Sequence, residues 1–417
     1  MSTSAAAATP AVPYGAAVYL AVVQFFFGCT WVVYVIFLPA MAEAAGVGKG
    51  VVIWVLMIDQ VVFAVMDLAM GLWADRVAGA LRRLGPAILA ISTVSCVAFL
   101  LIPHAAKLGK EGLFSAPVVG GILILLWSAT SSALRAPPWV LLSKYAATPS
   151  MPWLSALSLA GMAIGGAISP YLGVQLRGID PRLPFAISAL TLLATTAGLI
   201  WVERHIVRLG AGGAAAAPAP VPRTFDPAMT AFFAGCAVLA FGFQTHFFLN
   251  SAGQYLRFAK PDDLDYLMPV FWVGFNVLMF PGAALARRYG AMAVMAGSAV
   301  IGLAGMILAG LAGSLEIMIA GHFLAGGAWG SAMMAAFAGT MAFGHKGREG
   351  FTIGLLSSLF ATAAFARMAL VAAEVNKAPA YKELVAWLPS ALWLAGGIIL
   401  LLALLSWQRP ALETRRA

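Results

Sequence analysis

The chain has 417 residues, of which 62% are hydrophobic and only 10% are charged. Soluble domains carry about 25% charged residues, so this composition excludes an ordinary soluble enzyme or soluble binding domain. The net charge of +9 does not indicate a partner nucleic acid, because the basic residues stand in short segments between apolar runs and form no basic cluster with interleaved aromatic residues.

Twelve apolar segments follow one another along the chain, and each is long enough to cross a bilayer as a helix. They cover residues 14–41, 51–73, 86–103, 117–140, 153–176, 183–202, 228–251, 264–286, 291–312, 315–343, 351–373 and 386–407. Helices satisfy their own backbone hydrogen bonds in lipid, so the sequence predicts an all-α polytopic membrane protein.

The longest segment between these spans divides them into six and six. It is rich in Ala, Gly and Pro, a composition typical of a flexible linker. The predicted domains are an N-terminal tail (1–13), an N-terminal six-helix bundle (14–202), a cytoplasmic linker (203–227), a C-terminal six-helix bundle (228–407) and a C-terminal tail (408–417).

Basic residues are more frequent in the segments that share a side with the two termini than in the loops on the other side. This bias predicts that both termini are cytoplasmic. We expect an integral protein of the bacterial cytoplasmic (inner) membrane, present as a monomer. Cys29, Cys96 and Cys236 all lie inside apolar spans, which favours packing roles over a disulfide framework.

The pattern G-x3-D-R-x2-G ends the second span, and the eighth span ends in the same spacing with Ala in place of Asp. The first copy consists of Gly71, Asp75, Arg76 and Gly79, and the second of Gly282, Ala286, Arg287 and Gly290. The matching location in two six-helix halves indicates an internal duplication.

The stretch that contains the first copy, GLWADRVAGALRR, resembles the motif that joins helices two and three in the major facilitator superfamily. The resemblance extends over the whole chain through the twelve spans, the long central loop and the repeated motif. It implies two pseudo-symmetric six-helix bundles that rock about a site near the midplane of the membrane. It also implies that Asp75 faces the start of helix eleven, and that helices one, four, seven and ten line the pathway.

The same region is similar, in part, to the motif of the glycoside-pentoside-hexuronide cation symporters of that superfamily. Their motif places a cation-binding Asp at the position of Asp67, but they carry acidic residues where this chain has Phe63 and Arg135, and Pro where it has Leu68. The chain therefore lacks the carboxylate cluster of a sodium site, and we expect H⁺ as the coupling ion.

Asp67 and Arg135 lie at similar depth in the second and fourth spans, so we expect them to pair. Such a pair is either a site for a proton or an anionic substrate, or only a buried salt bridge, and the sequence leaves both open.

Asp59 and Arg367 also lie at one depth, in the second and eleventh spans, near the outer face. We expect them to form a latch that closes when the cavity faces inward, unless each reaches to the interface by itself. Asp75 is expected to form an inner gate with the N-terminus of helix eleven, which stabilises a carboxylate. Gly71, Arg76 and Gly79 belong to this gate.

His246 and His322 are predicted to carry a coupling proton, although a buried histidine is more often simply hydrogen-bonded. The remaining predicted substrate-site residues are polar or aromatic: Gln24, Trp31, Tyr34, Trp127, Gln244, Asn250, Asn276 and Trp329. Methionines near His322 raise copper as a minor alternative, but methionine at helical spacing favours packing, and we expect no metal and no cofactor.

These features predict a secondary active transporter, not an enzyme, that moves a small solute across the membrane by alternating access with proton coupling. Two alternatives stay open. One is an uncoupled facilitator, and the other is a membrane assembly factor that retains the fold without transport.

Overall fold

The computed structural model of the protein describes residues 13–80, 84–145, 148–210, 227–344 and 347–413. Within these ranges, twelve helices are long and apolar enough to cross a membrane. They are α1 (Tyr14–Ala44), α2 (Lys49–Val77), α3 (Gly85–Glu111), α4 (Ala116–Ser143), α5 (Met151–Gln175), α6 (Arg182–Ile206), α7 (Pro227–Tyr255), α8 (Pro261–Tyr289), α9 (Ala291–Gly310), α10 (Leu315–Gly344), α11 (Glu349–Ala372) and α12 (Pro379–Leu405). The predicted all-α fold with twelve spans is confirmed.

Several helix starts and ends follow directly from the sequence. Pro86, Pro117 and Pro152 stand in the first turns of α3, α4 and α5, where a missing N–H costs no helical hydrogen bond. Gly290 has φ +88°, a left-handed conformation that favours glycine, and it separates α8 from α9.

The helices form two bundles with matching internal contacts. In the first bundle α1 packs against α5 and α6, and α3 packs against α4 and α6. In the second bundle α9 and α8 pack against α10, and α12 packs against α7 and α9. The bundles meet along α2 with α11 and along α5 with α8. These two contacts correspond to each other when one half is superposed on the other, as expected for duplicated halves.

Glycines allow the closest helix contacts. A Cβ atom at Gly71 in α2 would lie 2.0 Å from the carbonyl oxygen of Gly350 in α11, and one at Gly161 in α5 would lie 1.8 Å from that of Ala21 in α1. Only glycine permits backbones to approach this closely, which is a common device in membrane helix packing.

Two expected boundaries need correction. The linker was expected over 203–227, but the helix that ends the first bundle continues over Leu199–Gly210. It continues because Ile206 is buried and because Glu203 accepts hydrogen bonds from the Leu84 and Gly85 N–H groups, at 2.5 and 2.9 Å. The C-terminal tail was expected from residue 408, but its helix spans Lys382–Glu413. Residues 1–12 and 211–226 lie outside the described ranges.

The repeated motif has two different backbone conformations. Gly79 lies within a helix that spans Val52–Ala80, whereas Gly290, at the same motif position, ends α8 with positive φ. We call the end of the molecule at which α2 ends the Asp75 end, and the other the opposite end.

Candidate transport site

The fourth span is not one continuous helix. Its first part, Ala116–Ser131, passes into a 3₁₀ turn at Ser132–Leu134, and helix resumes only at Pro137–Tyr145. Pro138 has no N–H to donate to Leu134 four residues earlier, so the Leu134 carbonyl is left without its helical partner. The side chain of Gln24 in α1 donates to that carbonyl from its Nε2 at 2.9 Å.

This break places Arg135 against α2. Arg135 Nη2 lies 3.0 Å from Asp67 Oδ2, and its guanidinium lies over the Phe63 ring at 4.5 Å. The Asp67 side chain is fully buried, whereas 21% of the Arg135 side chain is exposed. The predicted pairing is confirmed. Arg135 contacts Oδ2, and an ionised carboxylate has about four acceptor positions, so Asp67 retains free acceptor capacity.

Asp59 is also fully buried in α2, but its partners are not those expected. Tyr34 Oη in α1 donates to Asp59 Oδ2 at 2.8 Å, and Ser128 Oγ in α4 donates to Asp59 Oδ1 at 2.5 Å. Trp127 packs on Tyr34 with ring centroids 4.7 Å apart, and Trp31 stacks on Trp127 at 6.1 Å. Sequence reasoning placed Tyr34, Trp31 and Trp127 in one site but missed Ser128.

The expected Asp59–Arg367 latch is not formed in this structure; it was expected for a cavity that faces inward, so it stays a prediction. The Arg367 guanidinium lies over the Phe248 ring at 4.8 Å, and its Nε is buried without a hydrogen-bond partner. Equal depth therefore did not imply contact, because Asp59 faces α1 and α4 within its own bundle while Arg367 faces α7.

The two predicted histidines lie together in the second bundle. The rings of His246 and His322 stack with centroids 4.9 Å apart, and the Tyr255 ring stacks on His322 at 4.4 Å. Ser251 Oγ lies 3.5 Å from His322 Nδ1. His246, His322 and Tyr255 are buried, and the Nε2 atoms and the Tyr255 hydroxyl have no described hydrogen-bond partner.

Sequence reasoning missed Ser251 and Tyr255 because the helix is irregular here. A π-helical turn at His246–Asn250 inserts an extra residue into α7 and shifts its faces, so a constant 3.6-residue period misassigns every residue beyond it.

The other predicted pathway residues have mixed surroundings. Asn250 Nδ2 donates to the Val385 and Ala386 carbonyls at 2.9 and 3.2 Å, and Asn276 Nδ2 donates to the Trp272 carbonyl of its own helix at 3.0 Å. Both asparagine amides therefore bind backbone carbonyl groups and do not line an open site. Gln244 Oε1 is buried without a described partner, and Trp329 stacks on Phe243 with centroids 4.6 Å apart.

The predicted contact of Asp75 with the start of α11 is present at the Asp75 end, and its role as an inner gate stays a prediction. Asp75 Oδ1 accepts from the Gly350 N–H at 2.6 Å, and Oδ2 accepts from the Phe351 N–H at 2.8 Å, so the carboxylate caps the N-terminus of α11. Trp139 of α4 stacks on Phe337 of α10 with centroids 4.2 Å apart, a second contact between the bundles. Arg76 is exposed beside this cap. The bundles are therefore joined at this end.

Metal ligands do not cluster in the described part of the chain: no group of three or more His, Cys, Asp or Glu side chains comes together there. Methionines near His322, such as Met318 and Met334, are buried among apolar residues.

Comparison with known proteins agrees with this geometry. The family model described as Major Facilitator Superfamily matches residues 20–367. The chain belongs to this superfamily. Membership and the twelve helices make it an integral membrane transporter rather than an enzyme, and the predicted two-bundle fold is confirmed.

Solved structures of this superfamily fold resemble the chain throughout. One is a bacterial homologue of the iron transporter ferroportin in an outward-facing state, with TM-score 0.73 and 12% identity, covering 93% of this chain and 99% of that one. Another is the human organic anion transporter MFSD10 (TETRAN), with TM-score 0.67 and 14% identity, covering 93% and 99%. At such identities the likeness shows the fold alone. No curated protein sequence matches the chain.

Proposed function

We propose that the protein is a secondary active transporter that couples a proton to the binding of a small anionic or polyhydroxylated solute and carries the solute by alternating access. The observation that carries this proposal is the Asp67–Arg135 pair: an ion pair, 3.0 Å apart, whose carboxylate is fully buried and whose guanidinium is partly exposed. It lies where the fourth span is broken and the second span contacts the other bundle.

The pair links a proton to an anion by charge balance. While Asp67 is ionised, it neutralises Arg135, and neither charge is left alone in the apolar interior. A proton on Asp67 would free Arg135, whose guanidinium recognises carboxylate and phosphate groups. A solute with hydroxyl groups would instead donate to the free Asp67 oxygens. Proton binding and solute binding are therefore coupled at one pair of residues.

Protons suit this site better than sodium. Sodium symporters of the related motif carry acidic residues where this chain has Phe63 and Arg135, and a guanidinium 3.0 Å from the carboxylate would repel a bound cation. The partial resemblance to those symporters thus supports the location of the site on the second span, but not the ion.

An anionic solute is supported by two further points. The human relative in fold is named an organic anion transporter. The bacterial relative in fold is a homologue of an iron transporter, but the described residues of this chain form no cluster of three or more ionisable metal ligands. We place the protein in the bacterial cytoplasmic membrane with both termini inside.

Transport in liposomes tests the proposal. Purified protein is reconstituted with a pH-sensitive dye inside, and small organic anions and sugar acids are added outside with and without an imposed proton gradient. We expect a subset of solutes to move protons with them in wild type. Asp67→Asn should abolish the proton movement, whereas Asp262→Asn, an exposed carboxylate that does not line the cavity described below, should retain it.

Two results would replace the proposal by an alternative. Solute flux without proton movement in wild type would identify an uncoupled facilitator. Neither flux nor solute-dependent thermal stabilisation across the whole solute set would favour a membrane assembly factor.

A further inference from the structure

A cavity of about 460 Å³ opens in the first bundle at the opposite end, away from the Asp67–Arg135 pair. Its wall consists mainly of apolar residues from the ends of α1, α2, α3 and α4 that meet there. Lys107, Asp180 and Arg182 are exposed at its mouth, and Asp59 belongs to its inner wall. One fully buried carboxylate therefore stands at the inner end of an apolar passage.

No cation among the described residues forms a salt bridge with Asp59. Arg135 pairs with Asp67, which lies about 12 Å beyond Asp59 along α2. Arg367 lies over Phe248 on α7. Arg182 Nε lies 4.0 Å from Asp180 Oδ1 at the mouth of the cavity, where Lys107 is in solvent.

The groups that do contact Asp59 are neutral. They are the Tyr34 and Ser128 hydroxyls, which come from α1 and α4. A fully buried ionised carboxylate without a cation is costly, and two neutral hydroxyls offset only part of that cost. A proton removes the charge and leaves the hydrogen bonds in place, because hydroxyls accept as readily as they donate.

We propose that Asp59 is a proton-binding site, occupied by a proton in this conformation and reached from the opposite end through the apolar cavity. Asp67 stays ionised through Arg135, so the two carboxylates of α2 have different roles. Asp59 exchanges a proton with the compartment at the opposite end, and Asp67 responds to the solute. This deepens the proton coupling of the proposed function, on which its role in transport rests.

Carbodiimide labelling tests the protonation without any solute. Dicyclohexylcarbodiimide is apolar and reacts with protonated carboxyl groups, and tandem mass spectrometry separates adducts on Asp59, Asp67 and Asp75. In full-length protein in nanodiscs we expect an adduct on Asp59 and none on Asp67 or Asp75. An adduct on Asp67 and none on Asp59 would overturn the proposal.

A cavity-filling variant tests the route. Gly121 lines the cavity, and a Cβ atom there would have no neighbour within 4 Å, so Gly121→Leu fills the passage without a clash at Cβ. We expect loss of the Asp59 adduct. Gly173→Leu is the matched control, since Gly173 also has open space but does not line the cavity, and it should label as wild type does. Unchanged labelling in Gly121→Leu would refute the route.

Infrared spectroscopy provides a readout that needs no reagent. The spectrum should contain the carbonyl band of a protonated carboxyl group, and Asp59→Asn should remove it while leaving the thermal unfolding temperature unchanged, because Asn is the neutral isostere. A band that persists in Asp59→Asn would refute the protonation. A protonated Asp59 in a protein without proton-coupled flux would refute only the proposed function.

Discussion

At the scale of single residues, the Asp67–Arg135 pair makes a stability prediction that does not depend on transport. The Asp67 side chain is fully buried, so removal of either charge leaves the other in an apolar setting. Asp67→Asn and Arg135→Gln should each lower the free energy of unfolding by about 3 kcal/mol, the lower end of the cost of breaking a buried pair. Thermal unfolding of the purified protein measures this loss.

The double variant is the control for that pair. Asp67→Asn with Arg135→Gln removes both charges and leaves two neutral amides, so it should be more stable than either single variant. Losses that simply add would mean that the two side chains do not interact.

The residue-scale contacts also separate what the sequence determines from what it does not. Counting residues from the start of each span places Asp67 level with Arg135, and the two are paired. The same count places Asp59 level with Arg367, yet Asp59 bonds to Tyr34 and Ser128. Depth follows from the fixed rise of a helix. Which neighbour a side chain faces depends on how the helices pack, and counting residues along the sequence does not predict that packing.

At the scale of elements, the break in α4 depends on a contact from another helix. Gln24 satisfies the Leu134 carbonyl that Pro138 cannot bond. Gln24→Leu leaves this carbonyl buried and unpaired, which should cost about 1 to 3 kcal/mol of unfolding free energy. Adding Pro138→Ala restores an N–H four residues after Leu134, so the double variant should recover part of the loss in the same thermal measurement. A further loss in the double variant would contradict this account.

Irregular turns in the helices are the part of the fold that the sequence predicts least. The twelve spans follow from apolar length alone, and all twelve are present in the described residues. The 3₁₀ turn at Ser132–Leu134 and the π turn at His246–Asn250 lie inside segments that read as continuous helices. At the first turn Gln24 of another helix bonds the Leu134 carbonyl, a contact that depends on tertiary packing. At the second, Ser251 of the same helix bonds the His246 carbonyl.

The contact between α2 and α11 predicts the effect of a single methyl group. Gly71→Ala would place a Cβ atom 2.0 Å from the Gly350 carbonyl oxygen, closer than packed atoms allow, so the helices must separate at the Asp75 end. Spin labels at Arg76→Cys and Arg287→Cys, in a background with the three native cysteines replaced by Ala, should move apart. Gly28→Ala is the control because its Cβ has no neighbour within 4 Å, and it should leave the distance unchanged.

At the scale of the whole molecule, the two bundles touch through contacts that can separate as units. The contacts of α2 with α11 and of α5 with α8 include close glycine approaches, the Asp75 cap and a hydrogen bond of 2.6 Å from Ser358 Oγ to the Ala64 carbonyl. The salt bridges Lys49–Glu43, Arg135–Asp67, Arg182–Asp180 and Lys377–Glu374 each lie within one half. Separation of the bundles leaves these four ion pairs intact, which suits a carrier that must open repeatedly.

The Asp75 cap is a polar contact that opening at the Asp75 end must break. Asp75 accepts one N–H on each oxygen, from Gly350 and Phe351. Asp75→Asn keeps the shape but replaces one acceptor by a donor, which faces an N–H and cannot bond it. Loss of a helix cap costs about 1 kcal/mol, so the first turn of α11 should exchange its amide hydrogens about fivefold faster in hydrogen–deuterium exchange. Asp180→Asn, a carboxylate at the opposite end, should leave this exchange unchanged. The same carboxylate also holds the bundles together at this end. Faster exchange should therefore be accompanied by a longer distance between spin labels at Arg76→Cys and Arg287→Cys. Faster exchange with an unchanged distance would mean that Asp75 caps the helix without holding the bundles together.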